Sequence, residues 1–120
     1  MQIAITNATR GTVVAAAASE ARTFAQKLFG LMAQAQLAPS GALIIYDTNW
    51  IHTFWMRFPL DVIYVDRARR VVGVETNLRA NRIGKPFWTA HAVVELNVGA
   101  VAASQTQVGD QLEFRAMRHE

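Results

Sequence analysis

The stretch that decides the fold is residues 50–66, WIHTFWMRFPLDVIYVD. In an extended strand, successive side chains point to opposite faces of the sheet. The first half of this stretch therefore places mostly apolar residues on one face, and Trp55 and Arg57 on the other. Pro59 has no N–H to donate to a strand ladder, and it favours extended geometry in the residue before it. We therefore expect a bend at Pro59, followed by a second strand at residues 61–66.

Asp61 enters this second strand directly after the bend. A buried carboxylate is stable only when it is hydrogen-bonded or paired with a cation. Arg57, four residues earlier along the chain, is a local candidate for that pairing. We predict that Asp61 is a structural acceptor, which receives backbone N–H bonds or pairs with Arg57.

Apolar runs and turn residues on both sides of this stretch predict further strands. They are expected at residues 2–6, 12–17, 42–46, 70–76, 91–96 and 111–117, with a short helical turn at residues 100–105. Ser19 is a suitable helix N-cap, and Phe24 and Leu28 follow at helical spacing, so we expect one prominent helix to begin there. Together these elements predict an α+β fold. A compact, mainly antiparallel, barrel-like or sandwich-like sheet would carry one prominent helix in its N-terminal half.

The length and composition are typical of one globular domain. The chain has 120 residues, of which 52% are hydrophobic and 18% are charged, so we expect a single domain over residues 1–120. It contains no cysteine, which excludes disulfide bonds, thiolate catalysis and cysteine-based zinc sites. Its three histidines show none of the short spacings of metal sites, so we expect no metal and no cofactor.

Hydropathy along the chain bears on its location. No apolar stretch approaches the roughly 20 residues that are needed to span a bilayer. The N-terminal residues also lack the basic start and the long apolar core of a secretory signal. We therefore expect a cytoplasmic protein that has no membrane partner.

Positive charge is concentrated in one segment. Residues 67–85 contain Arg67, Arg69, Arg70, Arg79, Arg82 and Lys85 against one acidic residue, Glu75. Such a segment usually forms a solvated rim that aids solubility. Alternatively, it binds nucleic acid or phosphate, with Phe87 and Trp88 as stacking platforms. The two alternatives differ in salt dependence, because counterion release makes nucleic-acid binding weaken steeply as salt is added.

Several separated motifs occur together in a fixed order. They are KLFGLM at residues 27–32, GALIIY at 41–46, HTFWMRFPLDVIYVD at 52–66, VELNVG at 94–99 and GD at 109–110. In this order and spacing the chain resembles the domain of unknown function 192 family, an uncharacterised family of bacteria and archaea. The resemblance implies a compact, mainly β domain with one prominent helix, and it implies no assigned reaction. The chain departs from the family pattern at Lys27 and Gln34, where other members often carry arginine or another basic residue.

We interpret the aromatic stretch as the centre of a non-catalytic binding or accessory domain. The irregular residues 77–89, which include Ile83, Phe87 and Trp88, are expected to fold over the strand that carries Trp55 and to bury their apolar side chains there. The resulting aromatic-lined pocket would take a small anionic or amphipathic ligand, or a protein partner. The candidate ligand-binding residues are His52, Trp55, Arg57, Asp61, Glu95 and Trp88.

An enzymatic alternative is a hydrolase or isomerase that uses His52 as a general base, with Asp61 or Glu95 to orient it. No cysteine is available as a nucleophile, and no serine lies in a G-x-S-x-G motif, so the chain has no complete catalytic signature. Glu95 lies in an apolar strand. It is therefore expected either on the solvent face or buried beside a partner such as Arg57, Lys27 or His52.

Overall fold

The computed structural model describes residues 2–21, 41–51, 58–79 and 83–117. Within these ranges the chain forms one seven-stranded sheet and one short helix. The strands are β1 (Gln2–Asn7), β2 (Thr12–Ala21), β3 (Ala42–Tyr46), β4 (Leu60–Val65), β5 (Val71–Leu78), β6 (Ala92–Asn97) and β7 (Leu112–Ala116), and the helix is α1 (Ala100–Ser104). The described part of the chain is therefore mainly β, as the sequence predicts.

The sheet runs in the order β5-β4-β6-β3-β2-β1-β7. Its described strands pair antiparallel, except for β2 and β3, which are parallel. The two edges of the sheet approach each other where Arg70 pairs with Gln111, beside a hydrogen bond of 2.8 Å from Val71 N to Asp110 O. The sheet is thus curled into a half-barrel, which is the barrel-like alternative of the prediction.

The larger hydrophobic core lies inside the curl. Its buried residues come from each described strand and from the helix, and they include Ile3, Ile5, Val14, Ala18, Ile44, Ile63, Val65, Val71, Val94, Leu96, Val101 and Leu112. Because both edge strands contribute, the sheet must curl before this cluster is shielded from water. The central strands β3 and β4 are buried along their whole length, as expected for continuous apolar runs in the middle of a sheet.

A smaller core covers part of the opposite, outer face of the sheet. It contains Ala21, Leu43, Ile45, Ile51, Leu60, Val62, Tyr64 and Val93, with Phe58 and Phe87 partly buried against it. Side chains alternate between the two faces of a strand, so β4 supplies Ile63 to the inner core and Val62 and Tyr64 to the outer one. The outer core is the surface against which the loops at one end of the sheet pack.

The predicted helix start at Ser19 is wrong. This residue and the two after it continue β2, which pairs in parallel with β3 through Ser19 with Leu43 and Ala21 with Ile45. Strand pairing satisfies the backbone groups of this segment, and such tertiary context overrides the local preference of serine for a helix N-cap. The rest of the predicted helix falls on residues 22–40, outside the described residues. The helix of the described ranges is α1, which is near the C-terminus and only 5 residues long.

The other predicted strands are confirmed where the structure describes them, with small shifts at their ends. The expected helical turn is also confirmed, since α1 begins at Ala100. Phe58 and Pro59 lie outside the strand ladder, and β4 begins at Leu60. The strand that was expected after the proline therefore begins close to its predicted position. The strand that was expected before the bend falls largely on residues 52–57, outside the described residues.

A buried carboxylate supports the closure of the curl. Asp110 is almost fully buried, and its Oδ2 accepts hydrogen bonds from Asn7 Nδ2 at 2.9 Å and Arg10 Nε at 3.0 Å. Gln107 N donates a third hydrogen bond to the same oxygen at 3.0 Å. Burial by itself would raise the pKa of Asp110, but these hydrogen bonds hold it below its ordinary value. The carboxylate therefore ties the turn between β1 and β2 to the loop before β7.

Asp61 is the structural acceptor that the sequence predicts. Its Oδ1 accepts a hydrogen bond from Asn77 N at 3.0 Å, and its Oδ2 accepts hydrogen bonds from Gly99 N at 3.0 Å and Val101 N at 3.1 Å. These bonds connect the start of β4 to the end of β5 and to the first turn of α1, where backbone N–H groups otherwise lack partners. The alternative pairing with Arg57 falls outside the described residues.

We expect Asp61→Ala to lower the free energy of unfolding by roughly 2–5 kcal/mol, because it leaves buried backbone N–H groups without acceptors. Urea denaturation of the purified protein measures this change. Glu113→Ala is the matched control, since Glu113 is an exposed carboxylate on β7. Equal denaturation midpoints for Asp61→Ala and the unmodified protein would contradict the assignment.

Candidate functional site

Three loops meet at one end of the sheet. Ala92, at the start of β6, pairs with Tyr46 at the end of β3 and with Val65 at the end of β4. The residues that follow β3 and β4 therefore flank the residues that precede β6. We call this region the loop surface, and it consists of residues 47–50, 66–68 and 83–91.

The loop before β6 is anchored on the outer core by main-chain bonds and by one aromatic ring. Gly84 N donates to Ile51 O at 2.8 Å, and Phe87 N donates to Asn49 O at 2.9 Å. The ring of Phe87 packs on Tyr64, with 4.3 Å between ring centroids. The backbone of Gly73 lies directly under Phe87, because a β-carbon there would be 2.3 Å from the ring.

Glu75 holds the same loop from β5. Its Oε1 accepts hydrogen bonds from the Tyr64 hydroxyl at 2.6 Å and from Lys85 N at 3.1 Å. Burial and the hydrogen bond to Glu75 both raise the pKa of Tyr64, so the hydroxyl remains a donor. Gly84 covers this pair, since a β-carbon there would lie 2.8 Å from Glu75 Oε1. The loop is therefore held in one position over the sheet.

An apolar depression lies on the loop surface, beyond these anchors. Its volume is about 350 Å³, and it is lined by Asn49, Trp50, Ile83, Gly84, Pro86 and Trp88. Trp88 is 80% exposed, Ile83 65% and Trp50 45%. Large apolar side chains that share one exposed depression are unusual on a surface that faces only water.

A histidine and an aspartate form a polar pair beside the apolar depression. His91 Nε2 lies 3.1 Å from Asp47 Oδ1, and Asp47 N donates to His91 O at 2.8 Å. His91 N in turn donates to Val65 O at 2.7 Å. Asp47 has a positive φ of 55°, a conformation that is uncommon for a residue with a side chain. The pair lines a second depression, of about 370 Å³, together with Thr48, Asn49, Trp50 and Ala90.

Arg67 adds a positive charge on the other side of Trp88. A third depression of about 540 Å³ is lined by Asp66, Arg67, Ala68, Trp88, Thr89, Ala90 and His91. Asp66 Oδ1 is engaged in the turn, where it accepts hydrogen bonds from Ala68 N and Arg70 N at 2.9 Å. Arg67 is exposed, and it forms no ion pair with any residue of the described ranges. Its guanidinium group is therefore available to solvent.

The predicted site residues do not converge where they can be located. His52, Trp55 and Arg57 lie outside the described residues. Trp88 is on the loop surface, whereas Asp61 is at the opposite end of β4 and Glu95 is on the outer face of β6. The enzymatic alternative with His52 stays a prediction, although both carboxylate oxygens of Asp61 are already engaged by backbone donors.

The predicted burial of the loop before β6 is wrong for two of its three large apolar residues, since Ile83 and Trp88 are exposed. Phe87 is half-buried and packs against the outer core. The strand of Trp55, over which the loop was expected to fold, lies outside the described residues. Gly73 makes room for the ring of Phe87, because a β-carbon there would lie 2.3 Å from it.

Glu95 is fully buried, which settles one of the two alternatives from the sequence. It pairs across the sheet with Leu43 and Val62, and it shares their outer face. Its Oε2 has no hydrogen-bond partner within the described ranges. Burial raises the pKa of Glu95 to about 7, because an apolar environment disfavours the charged form.

The basic segment is divided between structural contacts and solvent. The guanidinium carbon of Arg69 lies 4.7 Å from the ring centroid of Phe114 and 5.5 Å from that of Tyr46. Arg70 Nη1 donates to Gly109 O at 2.7 Å. Both arginines therefore contribute to the fold. The nucleic-acid alternative stays a prediction, and Arg82, which it uses, lies outside the described residues.

The described ranges contain neither a group of metal ligands nor a membrane-spanning helix. Among the described residues, no three histidine, aspartate or glutamate side chains are grouped so that they could hold a metal ion. Those ranges also contain no helix with the length and apolar character needed to cross a membrane.

Sequence reasoning missed the pair of His91 and Asp47, and it did not assign Trp50 to the site. The pair is separated by more than forty residues in the sequence, and it forms only because β3 ends where β6 begins. No local spacing signals such a contact. Trp50 does have a signal, since tryptophan is large and is rarely fully buried.

We expect Glu95→Gln to change how stability depends on pH. The unfolded chain ionises Glu95 near 4.5, whereas the folded chain holds its proton up to about pH 7. In that window the folded state binds more protons, so the free energy of unfolding falls as pH rises, by on the order of 3 kcal/mol. Urea denaturation between about pH 5 and pH 8 should show this fall in the unmodified protein and not in Glu95→Gln. Glu113→Gln is the exposed control, and an equal fall in all three proteins would refute the assignment.

We expect Gly73→Ala to lower stability by about 1–3 kcal/mol, because its methyl group overlaps the ring of Phe87. The same substitution should cost less in a Phe87→Ala background, where the methyl group has room. Denaturation midpoints of the two single variants and the double variant measure this coupling. Strictly additive effects would show that Gly73 does not support the loop through Phe87.

Comparisons with known proteins agree with this fold. Solved structures with a similar fold include a protein of unknown function from Novosphingobium aromaticivorans, with a TM-score of 0.71, 24% identity, and coverage of 94% of this chain and 84% of that one. A candidate transcription regulator from Sinorhizobium meliloti has a TM-score of 0.69 and 21% identity over 94% of this chain and 92% of that one. At these identities the similarity shows the fold alone.

Sequence comparison identifies the family. A UPF0127 protein of Pyrococcus abyssi is 36% identical over 100 residues, which cover 78% of this chain and 82% of the relative. A UPF0127 protein of Thermococcus gammatolerans is 32% identical over 114 residues, which cover 92% of this chain and 74% of the relative. The family model for domain of unknown function 192, described as an uncharacterized ACR, matches residues 5–114. The resemblance seen in the sequence is thereby confirmed, and the chain belongs to the domain of unknown function 192 family.

Proposed function

We propose that this chain is a single, non-catalytic binding domain that takes up a small amphipathic anion on the loop surface. The observation that carries the proposal is the apolar depression, in which Trp50, Ile83 and Trp88 are held together and exposed. Ligand sites are typically concave and apolar, with a few polar groups placed at the margin. The loop surface has this composition.

The size of the apolar depression suits a small ligand. Its volume of about 350 Å³ is at the lower end of the range for small-molecule sites. Covering roughly 200 Å² of apolar surface there would contribute about 5 kcal/mol, before the entropic costs of association are subtracted. A contribution of this size limits the affinity, so we expect a dissociation constant of roughly 0.2–1 mM.

The polar margin favours a negative charge on the ligand. Arg67 is free of ion pairs within the described ranges, and it lines the depression on the far side of Trp88. A guanidinium group binds carboxylates and sulfonates through charge-assisted hydrogen bonds. A ligand whose apolar part contacts Trp88 would thus place an anionic group within reach of Arg67.

The anchoring of the loops supports binding without a large rearrangement. Phe87 is packed on Tyr64, and Glu75 holds the backbone of Lys85, so the walls of the depression are attached to the sheet. A preformed site avoids the entropic cost of ordering its loops when the ligand arrives. This arrangement supports binding by the isolated domain.

The experiment uses 8-anilinonaphthalene-1-sulfonate, a fluorescent amphipathic anion, at concentrations up to about 1 mM. We expect its emission to rise on binding, and Trp88→Ala to weaken binding roughly tenfold, because Trp88 supplies the most exposed wall. Arg67→Ala should also weaken binding of this anion. Fluorescence titration of the three proteins measures the affinities.

The matched control is Val13→Ala, which removes exposed apolar surface on β2, away from the loop surface. Each variant is used only if its melting temperature matches that of the unmodified protein, since this dye also binds partly unfolded chains. Affinity that is unaffected by Trp88→Ala would contradict the proposal. Equal losses in Val13→Ala and Trp88→Ala would also contradict it.

A further inference from the structure

We propose that the protonated imidazole of His91, which lies beside Asp47, binds the anionic group of the ligand, and that binding takes up a proton at any pH where the free imidazole is neutral. The ligand class that this pair selects is a planar aromatic carboxylate. This inference rests on the proposed function, because the aromatic body of the ligand must occupy the apolar depression. It adds a site residue pair and a proton to that function.

The pair lies next to both tryptophans of the apolar depression. His91 lines both the depression that contains Asp47 and the one that contains Arg67. The former shares Trp50 with the apolar depression, and the latter shares Trp88 with it. One small molecule can therefore contact the tryptophans and the imidazole at the same time.

Asp47 and the main chain position the imidazole ring. Asp47 Oδ1 lies 3.1 Å from His91 Nε2, so a carboxylate is placed beside this nitrogen. The backbone of His91 is bonded on both sides, to Val65 O through its N–H and to Asp47 N through its carbonyl. The other ring nitrogen, Nδ1, is the one that this inference assigns to the ligand.

The proton on Nδ1 decides whether His91 can bind an anionic oxygen. When imidazole is neutral and donates from Nε2, Nδ1 carries a lone pair and repels an anionic oxygen. When imidazole is protonated, both nitrogens donate, and Nδ1 can bond a carboxylate. The carboxylate of the ligand then lies on one side of the imidazolium and Asp47 on the other. Such an arrangement favours the protonated ring, so the complex holds one more proton than the free components at a pH where the free imidazole is neutral.

Among the described residues, three charged groups line the same depressions as His91. From the loop after β3 there is Asp47, and from the loop after β4 there are Asp66 and Arg67. Asp66 is engaged by the backbone of its own turn. Arg67 adds a permanent positive charge on the side where the ligand carboxylate would lie. The local charge therefore permits one anionic group and gives no place for a second cation.

The body of the ligand follows from the tryptophans. Trp50 and Trp88 present flat apolar surfaces in a shallow space, together with Pro86. Aromatic rings pack on such surfaces with offset-stacked or edge-to-face geometry, which adds to the burial of apolar area. A fused bicyclic ring fits a depression of about 350 Å³, so an aromatic carboxylate is preferred over a long acyl chain.

The test uses 2-naphthoate and its neutral counterpart 2-naphthalenemethanol with the full chain. Isothermal titration calorimetry at about pH 5.5 and about pH 8, in two buffers of different ionisation enthalpy, gives affinity and proton uptake together. We expect 2-naphthoate to bind roughly tenfold more weakly at the higher pH. The neutral alcohol should bind with the same affinity at both values.

His91→Gln is the main variant, since glutamine keeps a hydrogen-bond donor and does not titrate. We expect it to abolish proton uptake and the pH dependence of 2-naphthoate binding, whereas its effect on binding of the alcohol should be the same at both pH values. Asp47→Asn is the second variant, and it should reduce proton uptake because the imidazolium loses its anionic partner. Asp47→Asn keeps the inference testable if His91→Gln does not fold.

The outcomes separate this inference from the proposed function. If the alcohol binds and 2-naphthoate shows no pH dependence, the inference is overturned and the binding function stands. Proton uptake that persists in folded His91→Gln also overturns the inference, since the proton then goes to another group such as Glu95. If neither probe binds at any pH, the proposed function itself is overturned.

Discussion

The closure of the sheet between residues 69–71 and 109–112 is the constraint on which the rest of the structure depends. Here the edges next to β5 and β7 exchange main-chain hydrogen bonds, among them Gly109 N to Val71 O at 2.8 Å. Asp110 reinforces the contact from the side, with Asn7 and Arg10 as donors. An open sheet of this length would expose its inner face, whereas the curled sheet shields one large apolar cluster from water.

The outer face of the curled sheet supports the loops at one end of the sheet. This face buries only a modest cluster, and the loops at one end of the sheet are packed on it through Phe87 and Gly84. A glycine at position 73 makes the close approach of the Phe87 ring sterically allowed. The candidate site is thus built on rigid strands, although its exposed residues are in loops, an arrangement that is common in ligand-binding proteins.

The outer face also contains a buried carboxyl group, that of Glu95. Glu95 is surrounded by apolar neighbours, and one of its oxygens has no partner within the described ranges. Burial of this kind lowers stability, and the cost is greatest at pH values where the carboxyl would be ionised in water. Leucine or valine in this position would pack without that cost. Within the described ranges, no contact explains why a carboxyl group occupies it.

The sequence by itself determined the mainly β architecture, the family and the role of Asp61. These predictions rest on local features, namely apolar runs, Pro59 and the aspartate that follows it. The structure that such features favour is retained in the folded chain. Tertiary structure decided the rest. Pairing with β3 turned Ser19 from a predicted helix cap into a strand residue. Space over Gly73 admits the ring of Phe87, whereas Trp88, the next residue in the sequence, is exposed. The contact of His91 with Asp47 arose because distant strands end side by side, and strand order is a global property that no short stretch of sequence encodes.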